Sequence, residues 1–483
     1  MTVEKNQAPT ELKRTMTSRH LFMISLGGVI GTGLFLGSGY TINQAGPGGA
    51  VLAYIVGGLL IYLVMLCLGE LSVAMPVAGS FQVYASKYIG PSTGFVIGWM
   101  YWLNWSVTIG VEFTASGMLM QRWFPDVQIW IWCVIFAVLL FTLNAISARS
   151  FAESEFLLSS IKVAAIVLFL IIGAAAMFGF VHVDGTDSAS GFSNFTNNGG
   201  LFPNGFAAVF LTMIAVTFSF QGTELIGIAA GESTEPHKTI PKAINNTVWR
   251  TMFFYVLTMI VLVSLIPWQN AGVIESPFVM IFDGVGIPYA ADLMNFVILI
   301  AVLSVANSGL YASTRILWSM SRDGMSSPAL SKLSKRGVPL NALLVTLAVS
   351  CLCLLSSIVA ADTVYIWLVS IAGMAGLVVW TSVTVCQYLF RRRLLAEGGK
   401  VEDLQYRTPL YPIVPIVGFI MCSTVLVSMV FVEDQRMAIY CGIPFMIICY
   451  LYYYLRIHSK KSSLISEEVS ESTSEENNLK ISN

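Results

Sequence analysis

Three ionisable side chains interrupt long apolar runs of this sequence: Glu112, Lys162 and Glu224. Each costs at least ~2.5 kcal/mol at the centre of a hydrocarbon layer, so such residues persist where they serve function or a polar break. A buried lysine can release its proton in response to its surroundings, which makes Lys162 a proton-coupling candidate. The competing reading is that its long stem carries the ammonium to an interface. Glu112 is suited to pair with a cationic substrate group, or else to a packing or gating role. Glu224, just beyond Gly222, is suited to exchange protons or to brace an interrupted helix. Glu70, Glu232 and Asp323 lie near the ends of apolar runs and read as solvated or paired with Lys and Arg.

Two of the apolar runs carry a polar, glycine-rich interruption at mid-depth. In the first it is Gly27-Gly28-Val29-Ile30-Gly31-Thr32-Gly33, followed by Gly37 and Gly39; in the sixth it is Phe218-Ser219-Phe220-Gln221-Gly222-Thr223-Glu224. Glycine eases unwinding. The N–H groups freed at such a break, with the dipole of the half-helix, suit a carboxylate, and the freed carbonyls suit an ammonium. Two facing breaks therefore form a receptor for a zwitterion such as an α-amino acid. The spacings Gly27 to Gly31 and Gly33 to Gly37 also fit simple close helix packing. The matched interruption five spans later favours a transport site. Phe218 adjoins the second break, where an aromatic ring can close over a substrate.

These residues need a membrane-spanning frame. Of the 483 residues 56% are hydrophobic and 11% charged, against about one-quarter charged in soluble domains. Runs of about 20 apolar residues recur from end to end, each long enough to cross a ~30 Å core as helix. They number twelve, at about 20–44, 48–69, 93–120, 127–147, 155–180, 204–231, 247–267, 289–317, 339–359, 363–390, 410–432 and 436–456. With the N-terminus inside, every Lys and Arg except Arg122, Arg436 and Lys162 falls in the cytoplasmic arm, loops or tail or, as with Arg250, Arg315 and Arg456, at the cytoplasmic end of a span. Such a bias sets orientation and places both termini in the cytoplasm. The polar ends, 1–19 and 457–483, read as a cytoplasmic arm and a disordered Ser- and Glu-rich tail.

Other classes lack their apparatus. There is no phosphate loop for ATP hydrolysis, no H-E-x-x-H or G-x-S-x-G, and no TVGYG-like filter. The eight cysteines fall in or beside apolar runs and the four histidines are scattered, so neither a disulfide framework nor a metal site is expected. No cofactor and no nucleic-acid partner is expected, since no basic stripe with interleaved aromatics is present.

The stretches Gly28-Val29-Ile30-Gly31-Thr32-Gly33-Leu34-Phe35, Gln44-Ala45-Gly46-Pro47, and Gly69-Glu70-Leu71 with Pro76, Gly79-Ser80 and Tyr84 resemble bacterial permeases of the amino acid–polyamine–organocation superfamily. Phe218 to Gly227, continuing through Ala230-Gly231-Glu232 and Lys238-Thr239-Ile240-Pro241, is similar to lysine-specific permeases. Ser18-Arg19-His20-Leu21-Phe22-Met23 and Ser304-Val305-Ala306-Asn307-Ser308-Gly309-Leu310-Tyr311-Ala312 resemble arginine/ornithine permeases of Gram-positive bacteria. The likeness runs from about residue 11 to 458. It implies an all-α membrane protein of the LeuT type with twelve transmembrane helices. Spans 1–5 and 6–10 (about 20–180 and 204–390, a core of 20–390) would form inverted repeats with helices 1 and 6 broken. A loop at 391–409 and spans 11–12 at 410–456 would follow. It implies a substrate carboxylate near Gly31, Thr32 and Gly33, and an α-ammonium at the carbonyls of Ile30 and of Phe218 or Ser219. It also implies Phe218 as gate and Lys162 and Glu224 as coupling residues, with Glu224 also expected among the substrate-binding residues. Glu112 stands where lysine permeases are expected to carry an aspartate.

The expected activity is secondary, not enzymatic: import of arginine and ornithine, and of lysine, across the bacterial cytoplasmic membrane by a proton symporter with alternating access. A neutral amino acid or 4-aminobutyrate permease, and an amino acid sensor in addition to transport, are the alternatives. Thr32 is expected to touch only the carboxylate end that all substrates share.

Overall fold

A computed structural model describes residues 23–24, 27–146, 148–183, 191–272, 276–357 and 361–458. The expected arm at 1–19 and all but the first two residues of the expected tail at 457–483 lie outside the described residues. Within them every regular element is a helix. Segments such as Ile129–Ile146, IWIWCVIFAVLLFTLNAI, contain no charge, Gly or Pro, and a helix satisfies its own backbone groups where water is absent. Among the described residues eight helices are long and apolar enough to cross a membrane: Gly37–Ala74, Ile129–Ile146, Glu153–Met177, Pro236–Leu265, Ala290–Arg322, Val364–Ala396, Ile413–Phe431 and Glu433–Ile457. Pro91–Met120 is as long but more polar, burying Asn104, Ser106, Thr108, Glu112, Thr114 and Ser116, and Leu340–Cys353 is a shorter apolar helix.

Gly37–Ala74 is two legs rather than one rod. Its backbone leaves the helix at Gly46 (φ 73°, ψ 177°), ahead of Pro47. A side chain at Gly46 would put Cβ 2.4 Å from Cδ of Pro203, so both the left-handed conformation and the packing demand glycine there. This turn falls in the gap the sequence leaves between about 44 and 48. Elsewhere the helices outrun the hydropathy boundaries. The fifth begins at Ala148 rather than near 155, the seventh at Pro236 rather than near 247, and the tenth runs on to Ala396. Hydropathy marks where hydrocarbon ends; a helix continues into the polar layer until Gly or Pro stops it.

Burial separates an inside from an outside. The most apolar stretches of Ala290–Arg322 and Val364–Ala396 are 78% and 72% buried, whereas those of Ile129–Ile146 and Glu433–Ile457 are 22% buried. The first two pack on Pro91–Met120 and form the centre with it; the last two turn apolar side chains such as Val138, Leu139 and Leu451 outward. At one end of this bundle Glu70 is clasped by Arg391 and by the Thr408 N–H at 2.6 Å. Glu232 there accepts hydrogen bonds from Arg315 Nε and the Tyr311 hydroxyl, both at 2.8 Å. Both carboxylates are buried, so pairing rather than solvation is their fate; Asp323 accepts from Gln82 Nε2 at 2.6 Å.

Candidate functional site

The backbone is non-helical from Gly28 to Gly31, and a helix restarts at Thr32–Phe35. Leu34 and Phe35 N–H both return to the Gly31 carbonyl, at 3.2 and 3.1 Å, leaving the N–H groups of Thr32 and Gly33 without intrahelical acceptors. In the sixth run Met213–Ser219 stops, Phe220 to Glu224 form turns, and Leu225–Ala229 resumes. Gly222 sits at φ 104°, and its N–H donates to Glu224 Oε2 at 2.9 Å.

The two interruptions touch. A Cβ on Gly222 would meet the Gly28 carbonyl oxygen at 2.3 Å, and one on Gly33 would meet Ser219 Cα at 2.5 Å. Carbonyls released by the first break are met by side chains from other helices. Tyr255 donates to Val29 O at 3.0 Å, Ser219 Oγ to Gly33 O at 2.7 Å, and Lys162 Nζ to Gly27 O. Hydrocarbon offers no such partners, so the break survives because protein surrounds it.

Beside this junction lies a narrow cavity, whose wall includes Gly31, Gly33, Trp105, Glu112, Phe218 and Gln221. Glu112 Oε1 accepts from the Thr32 hydroxyl at 2.8 Å; Oε2 is buried with no hydrogen-bond partner among the described residues. Gln221 donates through Nε2 to Asn104 Oδ1 at 2.6 Å and Thr108 Oγ1 at 3.0 Å, and its Oε1 is likewise unpartnered. Phe218 also borders a second cavity, together with Tyr40, Tyr365 and Gln435.

The structure thus gathers Gly31, Gly33, Glu112 and Phe218 on one wall, with Thr32 reaching it through Glu112. Ser219 and Ile30 are buried beside it. Glu224 is absent from that wall, its Oε2 bonded to the break itself. Lys162 is absent from it too; it is fully buried, not extended to an interface. Sequence reading passed over Gln221, Asn104 and Glu155. Gln221 is seen there only as one residue of the polar interruption, and Asn104 is a lone neutral side chain in an apolar run. Glu155 fell on the assumed start of a span, whereas the helix begins two turns earlier; it is fully buried.

An apolar-surfaced helical bundle holding a polar cavity at two touching helix breaks defines a multi-pass membrane transporter. The chain belongs to the amino acid permease family, a model of which, described as "Amino acid permease", matches residues 20–466. Members of that family are transporters and not enzymes. The chain is 61% identical over 450 residues to amino-acid permease RocC of Bacillus subtilis (strain 168), covering 93% of this chain and 96% of that protein. It is 43% identical over 460 residues to lysine-specific permease LysP of Escherichia coli (strain K12), covering 92% and 94%. With histidine permease HisP of Lactococcus lactis subsp. cremoris (strain MG1363) it shares 40% identity over 463 residues, covering 93% and 96%.

Proposed function

We propose that this permease imports cationic amino acids, arginine and ornithine first and lysine next, by proton symport with alternating access. One observation carries the cationic side chain: Glu112 Oε2 stands buried in the cavity wall with no partner among the described residues. A buried carboxylate oxygen left without a donor is costly, and a substrate ammonium or guanidinium in the cavity would complete it. Gln221 Oε1, on the same wall, offers a second acceptor to a side chain with several N–H groups. The names of LysP and HisP, which specify lysine and histidine, support a nitrogenous side chain.

In this reading the substrate carboxylate meets the N–H groups of Gly31, Thr32 and Gly33. Its α-ammonium meets the carbonyls of Ile30 and of Phe218 or Ser219. Phe218, bordering both cavities, is the gate. Lys162 and Glu224 couple the proton, Glu224 from its seat on the second break. The frame is twelve spans of the LeuT type, with inverted repeats at about 20–180 and 204–390 and both termini in the cytoplasm of a bacterium. The membrane potential adds to the drive, since one inward positive charge gains about 2.3 kcal/mol per 100 mV.

The test is uptake of labelled arginine into liposomes holding the purified protein, with and without an inward proton gradient, against unlabelled ornithine, lysine, histidine and leucine. Gradient-stimulated uptake blocked by ornithine and lysine is expected. Competition by histidine alone would reassign the side chain to an imidazole. Competition by leucine would move the protein to a neutral amino acid permease. Binding without uptake would make it a sensor.

A further inference from the structure

Glu155, Ser159 and Lys162 lie at i, i+4 and i+7 on the helix Ala148–Met177 and so share one face. That face meets the first break at Gly27. Lys162 Nζ donates to the Gly27 carbonyl, and a Cβ on Gly27 would stand 1.8 Å from Ser159 Oγ and 3.1 Å from Glu155 Oε2. The acid and the base therefore converge on one glycine from the same helix, and both are fully buried.

The partners of Glu155 are all neutral. Ser304 Oγ lies 2.7 and 2.6 Å from its two oxygens, and Asn307 Nδ2 donates to Oε1 at 3.2 Å. Asn307 is itself oriented by Asn144 Nδ2 at 2.6 Å. Donors of this kind keep a carboxylate in its charged form. The carboxylates near Lys162 are Glu155, on its own helix face, and Glu112 of the third span. The eighth and fourth spans contribute the neutral Ser304, Asn307 and Asn144. The seventh contributes the Tyr255 hydroxyl, which is bonded to Val29 O.

We propose that Glu155 supplies the buried counter-charge that lets Lys162 hold a proton while it is bonded to the Gly27 carbonyl. The inference rests on the reading of Lys162 as the proton-coupling residue. A lone ammonium in this environment would lie far from water and shed its proton. With Glu155 ionised two turns away the protonated state is electrically neutral overall. Proton binding then has a mechanical consequence. An ionised donor forms a hydrogen bond roughly twice as strong as a neutral one, so protonated Lys162 grips Gly27 and neutral Lys162 loosens it. Gly27 is one residue from the break that continues into Gly31 to Gly33.

Two measurements test this. In liposomes, Glu155→Gln should exchange labelled arginine across symmetric pH within about threefold of wild type, while its gradient-driven accumulation ratio falls to about one. The pH of half-maximal uptake should move down, because Lys162 binds its proton less readily without the counter-charge. Accumulation as strong as wild type, with the midpoint in place, would overturn the proposal. Loss of both exchange and accumulation, not recovered in Glu155→Asp, would assign Glu155 a structural role instead. The second measurement needs no substrate: melting of Glu155→Gln, Lys162→Met and the double variant in detergent. Charge partners give losses that do not add, the double variant melting no lower than the worse single one; additive losses overturn the proposal. Wild type that transports none of arginine, lysine and histidine would sink the substrate reading, and the melting cycle would still decide this one.

Discussion

Glu112 and Glu155 are the same residue at nearly the same burial, 1% and 0% exposed, yet their surroundings are opposite. Glu112 has one donor, Thr32, and an oxygen left open on a cavity wall. Glu155 has donors at both oxygens and does not line that cavity. As proposed for Glu155, a buried carboxylate whose valence is filled by neutral donors serves as a fixed charge. One that is half filled and faces space is, in the proposed function, the seat for a substrate side chain. Burial alone does not distinguish the two roles; the inventory of donors does.

The comparison can be broken most severely through the backbone between the two carboxylates. Gly33→Val would drive carbon into Ser219 Cα, 2.5 Å from where Cβ must stand. Uptake of every amino acid should be abolished in protein that still inserts and elutes as a folded species. Next in size is Glu112→Gln, which should raise KM for arginine about tenfold to a hundredfold, the worth of a hydrogen bond to a charged group. The pH midpoint of uptake should move down less than it does in Glu155→Gln; an unchanged KM would remove Glu112 from substrate recognition. Thr32→Val sharpens the same point. The Thr32 hydroxyl donates to Glu112; acting through that carboxylate it would favour cationic substrates, whereas the shared-carboxylate contact expected from sequence gives an equal loss for all. KM for arginine and lysine should rise about twofold to tenfold, with inhibition by a neutral competitor unmoved. The smallest effect belongs to Ser304→Ala. Removing a donor to ionised Glu155 weakens the counter-charge on Lys162, so the pH midpoint should fall slightly with KM intact.

Much of this site was legible in residue types. Glycine clusters and a buried Glu or Lys violate the apolar pattern and announce themselves, which is how Gly31, Gly33 and Glu112 on the cavity wall and Lys162 beyond it stand out in the sequence; Phe218 stands out by adjoining the second break. What the pattern does not carry is pairing across distant helices. That Thr32 meets Glu112, that Gln221 is held by Asn104, and that Ser304 and Asn307 serve Glu155 are facts of packing between segments far apart in the chain. Glu155 was missed for a different reason. Hydropathy reports the edge of hydrocarbon, and a carboxylate near that edge reads as solvated unless the helix is known to run two turns further. The helical class itself was clear, because long runs of Leu, Ile, Val and Phe leave the backbone no other way to satisfy its polar groups.

The contact of Gly222 with the Gly28 carbonyl and of Gly33 with Ser219 leaves no room for even a methyl group between the two interrupted segments. Mutation therefore cannot tune the junction by degrees, and drift in substrate preference must come from its neighbours. Trp105, Thr108, Glu112, Gln221 and Val305 supply replaceable side chains around the same cavity. In the proposed function, a junction this tight serves the groups all amino acids share, and the flanking residues are where a change of side-chain preference has room to occur.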